Sequence, residues 1–461
     1  DNRYLIELNG RYDGTSRFMK DQRWNFFPSF SLGWNVAREN FWKPLESVVN
    51  QFKLRGSWGE LGNQNTSNLY PFYEILPVKS NSGNWLVNGG KTNTADIPSL
   101  VSTLLTWERV RSFNVGFDFG AFSNRLTGSF DYFVRKTVDM VGPAPQLPLV
   151  LGIAPAIVNN ADMKSYGFEI ELSWRDRIGE VDYGVKFNLA DAQQKVVKYP
   201  NTTNAFSDWY AGKMSGEIWG YTSLGIAKTD EEMKEHLASL PNGGQNQLGN
   251  KWGAGDIMYA DINGDGKIDG GKGTLADPGD QRIIGNSTPR YNFGLVLDAS
   301  YKGFDVSIFF QGVGKRDYAP IVGTNGAVFW GAVNNIWQSM AMEEHFDYFR
   351  PEGHPMGANL NGYYPRPDFT SNKNHQVQTR YLQDASYIRL KNLQIGYTLP
   401  KQWINKLHIN RCRVYVSGDN LWTGTSLASM FDPETLAAGD WGSGKTYPLS
   451  KVISFGLNVN F

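Results

Sequence analysis

The densest run of metal-type oxygen ligands is Asp261-Ile262-Asn263-Gly264-Asp265-Gly266-Lys267-Ile268-Asp269. Oxygen side chains at its first, third and fifth positions, glycine at the sixth, a carbonyl at the seventh and an acid at the ninth follow the start of an EF-hand-type calcium loop. Ca²⁺ needs several hard oxygens on a tight curve, and Asp261, Asn263, Asp265, the carbonyl of Lys267 and Asp269 are spaced to supply them. The twelfth position is Lys272 instead of a bidentate acid, and no EF-hand helices flank the run; Asp256, Asp277 and Asp280 are the acids available as substitutes. The plainer reading is an Asx-rich turn in a solvated loop. On both readings the run stiffens a loop and catalyses nothing.

A second set consists of aromatics in long polar segments: Tyr70, Tyr73, Trp85, Trp209, Tyr210, Trp330, Trp337, Tyr363 and Tyr364. Each combines an apolar face with a polar handle, which suits stacking on sugar rings or contact with a partner protein; packing of the loops on one another is the alternative. His345 and His354, with Glu343, Glu344 and Glu352, match no standard metal-ligand spacing and read as a solvated loop. No G-x-S-x-G, H-E-x-x-H, P-loop or G-x-G-x-x-G stands in a suitable context, so an enzyme is not expected.

The elements that must position these groups follow from composition and periodicity. With 461 residues the chain is either several domains or one large barrel. Lys+Arg 45 balances Asp+Glu 45, which gives no sign of a nucleic-acid surface. The single cysteine, Cys412, has no internal disulfide partner and reads as a packed strand residue. No window is long and apolar enough for a transmembrane helix. The aromatic share of 14% suits aromatic girdles, sugar-binding surfaces or sandwich cores.

Period-two alternation runs through the whole chain. Ile453, Phe455, Leu457, Val459 and Phe461 share one strand face, and Ser454, Gly456, Asn458 and Asn460 the other. The pattern recurs over 4–12, 26–36, 52–58, 113–119, 126–134, 168–174, 183–189, 291–297, 304–310, 388–399 and 412–418, making about twelve strands. Pro28 removes one ladder donor, and a phase shift between Leu390 and Leu393 predicts a β-bulge. Polar positions such as Glu7, Arg11, Lys53, Arg55, Asp118, Asp131, Arg135, Glu169, Glu171 and Lys186 would line a lumen and pair with one another or with a plug. Short connections at Ser123-Asn124, 175–180 and Lys302-Gly303 alternate with long segments, the largest being 191–288, which holds a short strand at 218–227 and a helix at 229–240 capped by Thr229. Short turns at one end and long loops at the other predict a transmembrane antiparallel β-barrel with long extracellular loops; a propeller or a string of sandwiches would have shorter, more even connections.

Several stretches resemble the C-terminal half of the SusC/RagA-type TonB-dependent transporters: Asn9 to Phe18 (N-G-R-Y-D-G-T-S-R-F), Phe26 to Trp34 (F-F-P-S-F-S-L-G-W), Leu54 to Asn65 (L-R-G-S-W-G-E-L-G-N-Q-N), Gly285 to Gly294 (G-N-S-T-P-R-Y-N-F-G), Tyr387 to Leu399 (Y-I-R-L-K-N-L-Q-I-G-Y-T-L) and Val416 to Leu421 (V-S-G-D-N-L). The resemblance implies a plugged outer-membrane barrel of about 22 strands that takes up glycan or peptide fragments beneath a SusD-like surface lipoprotein lid, with energy from TonB. It also implies a truncation. Residues 1–461 would be the second half of the barrel, with the plug, the TonB-box segment and the first-half strands lying outside the sequence. The competing reading is a secreted all-β protein that binds or cleaves glycans. Paired carboxylates for the latter are a tertiary property that spacing does not reveal.

Overall fold

The computed structural model describes every residue except 1, 65, 67, 68, 145–147, 149, 151, 154, 321–326, 332–341, 369–372, 405–407 and 437–446. Twelve long strands carry the described fold: β1 (Tyr4–Gly14), β2 (Trp24–Asn35), β3 (Val49–Asn63), β4 (Glu108–Ala121), β5 (Leu126–Val141), β6 (Asn159–Ile178), β7 (Val181–Lys198), β8 (Arg290–Tyr301), β9 (Phe304–Lys315), β10 (Tyr387–Thr398), β11 (Arg411–Thr425) and β12 (Val452–Asn460). Their hydrogen-bonding order is their chain order, so every connection is a simple up-and-down return. The chain divides into two compact units, one of residues 1–169 and 192–214, the other of residues 170–191 and 215–461.

In the first unit, register places apolar residue against apolar residue from strand to strand. Leu32 pairs Ile6 on one side and Gly56 on the other. Trp58 continues to Phe113, Leu54 to Phe117, and these to Val134 and Phe130. The face so formed is open: Val115, in the interior strand β4, is 43% exposed and Phe113 47%. A water-soluble sheet would cover such a surface; a contiguous apolar face of this extent left uncovered is what lipid contacts. The opposite face carries charge, with Arg55 Nη2 donating to Asp118 at 2.9 Å and to Asp131 at 2.7 Å. The β2–β3 ladder begins at Ser29, beside Pro28, which has no N–H to donate, whereas pairing with β1 passes through Pro28 opposite Gly10. A small core of Phe18, Phe27, Leu105 and Trp107 closes over the end of β2. Gly62 is required there, because a Cβ would meet the Phe27 ring at 2.1 Å. The β4–β5 hairpin turns at Phe122, Ser123 and Asn124, all with positive φ, as the Ser-Asn dipeptide predicts.

The second unit repeats the scheme. Val185, Leu297 and Ile308 lie in one register row, as do Ile395, Val416 and Phe455 further along. The expected bulge is present: Lys391 is skipped in the pairing of β10 with both neighbours, so Leu390 and Leu393 reach the same face despite their odd separation. The turn at Lys302-Gly303 is as read from the sequence, both residues having positive φ. The β6–β7 connection is shorter than expected, because β6 continues to Ile178 and only Gly179 and Glu180 form the turn. The strand β7 likewise runs on to Lys198, past position 191 where the alternation ends. The ladder with β8 ends at Ala190, and the extension bonds instead to the returning chain, Val196 N to the Lys213 carbonyl at 2.9 Å and Gly212 N to the Val196 carbonyl at 2.8 Å. The single strand expected at 218–227 is two, Glu217–Gly220 paired with Arg282–Asn286 and Ser223–Ile226 paired with Ile257–Tyr259. The helix α1 (Asp230–Ala238) has the expected cap, the Thr229 hydroxyl accepting from the Glu232 amide at 3.1 Å.

The loops of the second unit have a core of their own. Tyr221, Ile257, Tyr259, Ile268, Phe329, Trp330, Tyr364, Tyr381 and Phe431 are all buried together, drawn from segments more than two hundred residues apart. They form a packed body instead of a set of independent excursions.

Candidate functional site

The acidic run folds as a tight loop held by its own amides. Asp261 Oδ1 accepts from Gly264 N at 2.6 Å and Oδ2 from Gly266 N at 2.8 Å, while Asn263 Oδ1 accepts from Asp265 N at 3.0 Å. Gly264 and Gly266 have φ of 77° and 79°, which only glycine adopts without strain. The Lys267 ammonium donates to Asp269 and holds its carboxyl below the usual carboxylate range. Asp280 closes the loop from behind, accepting from Ile262 N at 2.8 Å and Asp269 N at 2.9 Å; burial raises its carboxyl above the ordinary value. Of the substitute acids, Asp280 is therefore a backbone clamp and Asp256 belongs elsewhere. Among the described residues no three His, Cys, Asp or Glu side chains converge as a metal site requires.

Asp256 is fully buried at the centre of an ionic network that sequence spacing does not reveal. Arg366 embraces it with Nε at 2.9 Å and Nη2 at 2.6 Å, Lys373 Nζ lies at 2.9 Å, and Asn374 Nδ2 donates at 2.9 Å. The partners are more than a hundred residues away in sequence, so only the fold brings them together. A second network anchors the last loop: Arg389, itself buried, donates to Asp432 and Glu434 at 2.7 Å each, and Lys391, the bulge residue, also meets Glu434. No local motif marks either network. The available signal was weaker: single Arg or Lys residues at strand ends and in otherwise aromatic loops.

The aromatic candidates separate into two groups. In the second unit Trp330 and Tyr364 are 1% and 2% exposed and fill the loop core, with ring centroids 6.0 Å apart. Tyr363 stacks edge-on against Tyr364 at 5.0 Å and accepts from Gln383 Nε2 at 2.8 Å. These three pack loop on loop, as the plainer reading has it. Burial pushes the Tyr364 and Tyr381 hydroxyls up, so both stay protonated. His345 is a buried clip: Nδ1 accepts from Met342 N at 2.9 Å and Nε2 donates to the Val328 or Phe329 carbonyl. Trp337 lies outside the described residues. In the first unit Tyr70, Tyr73 and Trp85 are open, at 48%, 63% and 59% exposure. Trp209 and Tyr210 are half-buried, Trp209 edge-on to Tyr199 at 6.0 Å and Tyr210 beneath Lys213 at 5.4 Å. Of the aromatic candidates, the exposed ones are thus Tyr70, Tyr73 and Trp85.

Strands with an uncovered apolar face and an ion-paired polar face, joined at one end by connections of at most thirteen residues, three of them turns of two to four, and at the other mostly by long loops, define an outer-membrane β-barrel protein. The chain belongs to the family described as TonB dependent receptor-like, beta-barrel, whose model matches residues 1–421. TonB-dependent receptor P3 of Formosa agariphila is 29% identical over 489 residues, covering 100% of this chain and 44% of the relative. TonB-dependent receptor SusC of Bacteroides thetaiotaomicron is 24% identical, covering 100% of this chain and 42% of that protein. The chain thus spans less than half the length of these relatives. A solved structure described as the RagAB peptide transporter superposes with a TM-score of 0.75 at 22% identity, over 100% of this chain and 46% of that one. The family and the open apolar faces together place the chain in the outer membrane and set aside the secreted all-β reading.

Proposed function

We propose that the protein to which this chain belongs imports glycan or peptide fragments across the outer membrane, energised through TonB and served by a SusD-like surface lipoprotein acting as lid. The observation that carries the reading is the family match along residues 1–421, on strands whose one face suits lipid and whose other face is ion-paired. Similarity to a receptor named SusC and to a solved peptide transporter supports the substrate range. The chemistry is binding and passage, with no covalent step. The plug, TonB-box segment and first-half strands belong to the same proposal, with residues 1–461 as the second half of the barrel.

Deletion of the gene, followed by growth on a panel of oligosaccharides and oligopeptides as sole nutrient, tests the proposal. A defect on one class, restored by the intact gene and lost again when its TonB-box segment is removed, supports it; unimpaired growth on every member overturns it.

The Asp261–Asp269 loop is proposed as a stiffener with Ca²⁺ as the ion its spacing suits, in which case the ion must displace the Lys267 ammonium from Asp269. A saturable rise in thermal stability with Ca²⁺, lost in Asp265→Ala, supports the ion. No rise in wild type leaves a self-bonded turn.

A further inference from the structure

The β2–β3 connection, like the β10–β11 connection over 399–410, is longer than the two- to four-residue turns that share its end of the strands. It contains two 3₁₀ segments, Val36–Arg38 and Asn40–Leu45. Its rings turn outward. Phe41 packs edge-on against Trp34, with centroids 6.4 Å apart, and Trp42 stacks on Phe52 at 5.2 Å, nearly parallel. Trp34 and Phe52 belong to the apolar faces of β2 and β3, the faces that meet lipid. The connection therefore extends that surface beyond the strand ends instead of folding beneath the polar face.

Polar groups on this connection are satisfied in a way that fixes this pose. Glu39 Oε1 accepts from the Tyr4 hydroxyl at 2.6 Å and from Trp34 Nε1 at 3.1 Å, and Arg3 lies 3.7 Å from Oε2. Trp42 Nε1 donates to the Val49 carbonyl at 2.9 Å. Among the exposed residues of the connection, which include Arg38, Asn40, Lys43, Glu46 and Ser47, the apolar ones form one run: Phe41 is 63% exposed and Leu45 51%, followed by Val48 and by Phe122, whose amide donates to the Val48 carbonyl at 2.7 Å. Lys43 lies between Phe41 and Leu45 in the same turn of chain. Aromatic rings with satisfied polar handles, aliphatic side chains and a lysine are the composition that rests at the boundary between headgroups and acyl chains.

We propose that the 36–48 connection is an interfacial foothold, its Phe41–Leu45 surface seated in the lipid leaflet at the short-turn end of the strands and pinned there by Glu39. The occupant is phospholipid, because the surface is continuous with strand faces that lipid already covers.

The test uses the full-length protein in vesicles of phosphatidylethanolamine and phosphatidylglycerol, with nitroxide labels at Phe41→Cys, Leu45→Cys and, as reference, Lys43→Cys. The unsubstituted protein serves as the labelling blank, since Cys412 is buried. Collision with lipid-soluble oxygen is expected to exceed collision with a water-soluble nickel chelate several-fold at residues 41 and 45, and to a lesser degree at 43. Equal chelate access at all three sites overturns the proposal, as does spin–spin broadening that grows with protein density, which would assign the surface to a second copy. Should Phe41→Cys fail to fold, Leu45→Cys and Val48→Cys decide between the same outcomes. Glu39→Gln retains the acceptor for Trp34 and is expected to leave the label environment unchanged, whereas Glu39→Ala raises chelate access.

Discussion

At the residue scale, buried polar groups show how the loops are held. The Asp280 carboxylate has no solvent contact, and its partners are the Ile262, Asn263 and Asp269 amides of the acidic loop. Replacing it with alanine strands these donors, at a cost of about 1–3 kcal/mol. Asp280→Ala is therefore expected to speed amide exchange at Ile262 and Asp269 while leaving the strands protected. His236 tests pH dependence. Gln245 Oε1 already accepts from the Tyr259 amide, so the His236 ring, 3.1 Å away, is the donor. Burial holds the imidazole below its ordinary value of 6.5. The folded state therefore binds the proton less readily than the unfolded one. The stability contributed by the neutral ring is present above pH 6.5 and is lost as pH falls through the depressed folded value. Exchange in α1 is expected to accelerate on acidification in wild type and to lose that dependence in His236→Leu. The Asp-Asn-Asp spacing was legible because the turn it forms is local. The Asp256 cluster was not, since its cations come from residues more than a hundred positions away.

At the scale of elements, the bulge in β10 has a mechanical role. By inserting Lys391 it restores the apolar phase of the strand and sets Lys391 and Arg389 against Glu434. Arg389 is 3% exposed, and the Asp432 side chain beside it is 8% exposed. Arg389→Met leaves those carboxylates without their fork, which for a buried pair costs about 3–5 kcal/mol. Early proteolysis after Leu427, with the strands intact, is the expected result; unchanged cleavage would show that Phe431 and its ring contacts hold the segment alone. The phase shift betrayed the bulge in the sequence because strand periodicity is strict. The split of 218–227 into two strands was not legible, since short strands follow their partners, here Arg282–Asn286 and Ile257–Tyr259, more than their own pattern.

For the molecule as a whole, alternation becomes insertion into lipid. Val115 and Asn114 are adjacent in β4 and face opposite ways. An arginine at the outward position near mid-depth costs about 2–4 kcal/mol, and one on the polar face far less. Val115→Arg is expected to reduce the folded, heat-modifiable band in outer-membrane fractions, with Asn114→Arg close to wild type; equal loss in both would contradict the assigned faces. By itself the sequence determined the twelve long strands, the face of most of their residues, the short turns, the Thr229 cap and the bulge, because each follows from a period of two or from interactions within a few residues. Tertiary structure alone decided that the loops of the second unit pack into one core, that Trp330 and Tyr364 are filling while Tyr70, Tyr73 and Trp85 stay open, and that Asp256 and Arg389 are ionic anchors. Burial and ion pairing between distant segments depend on where the chain returns, and the strand pattern does not encode where the loops meet.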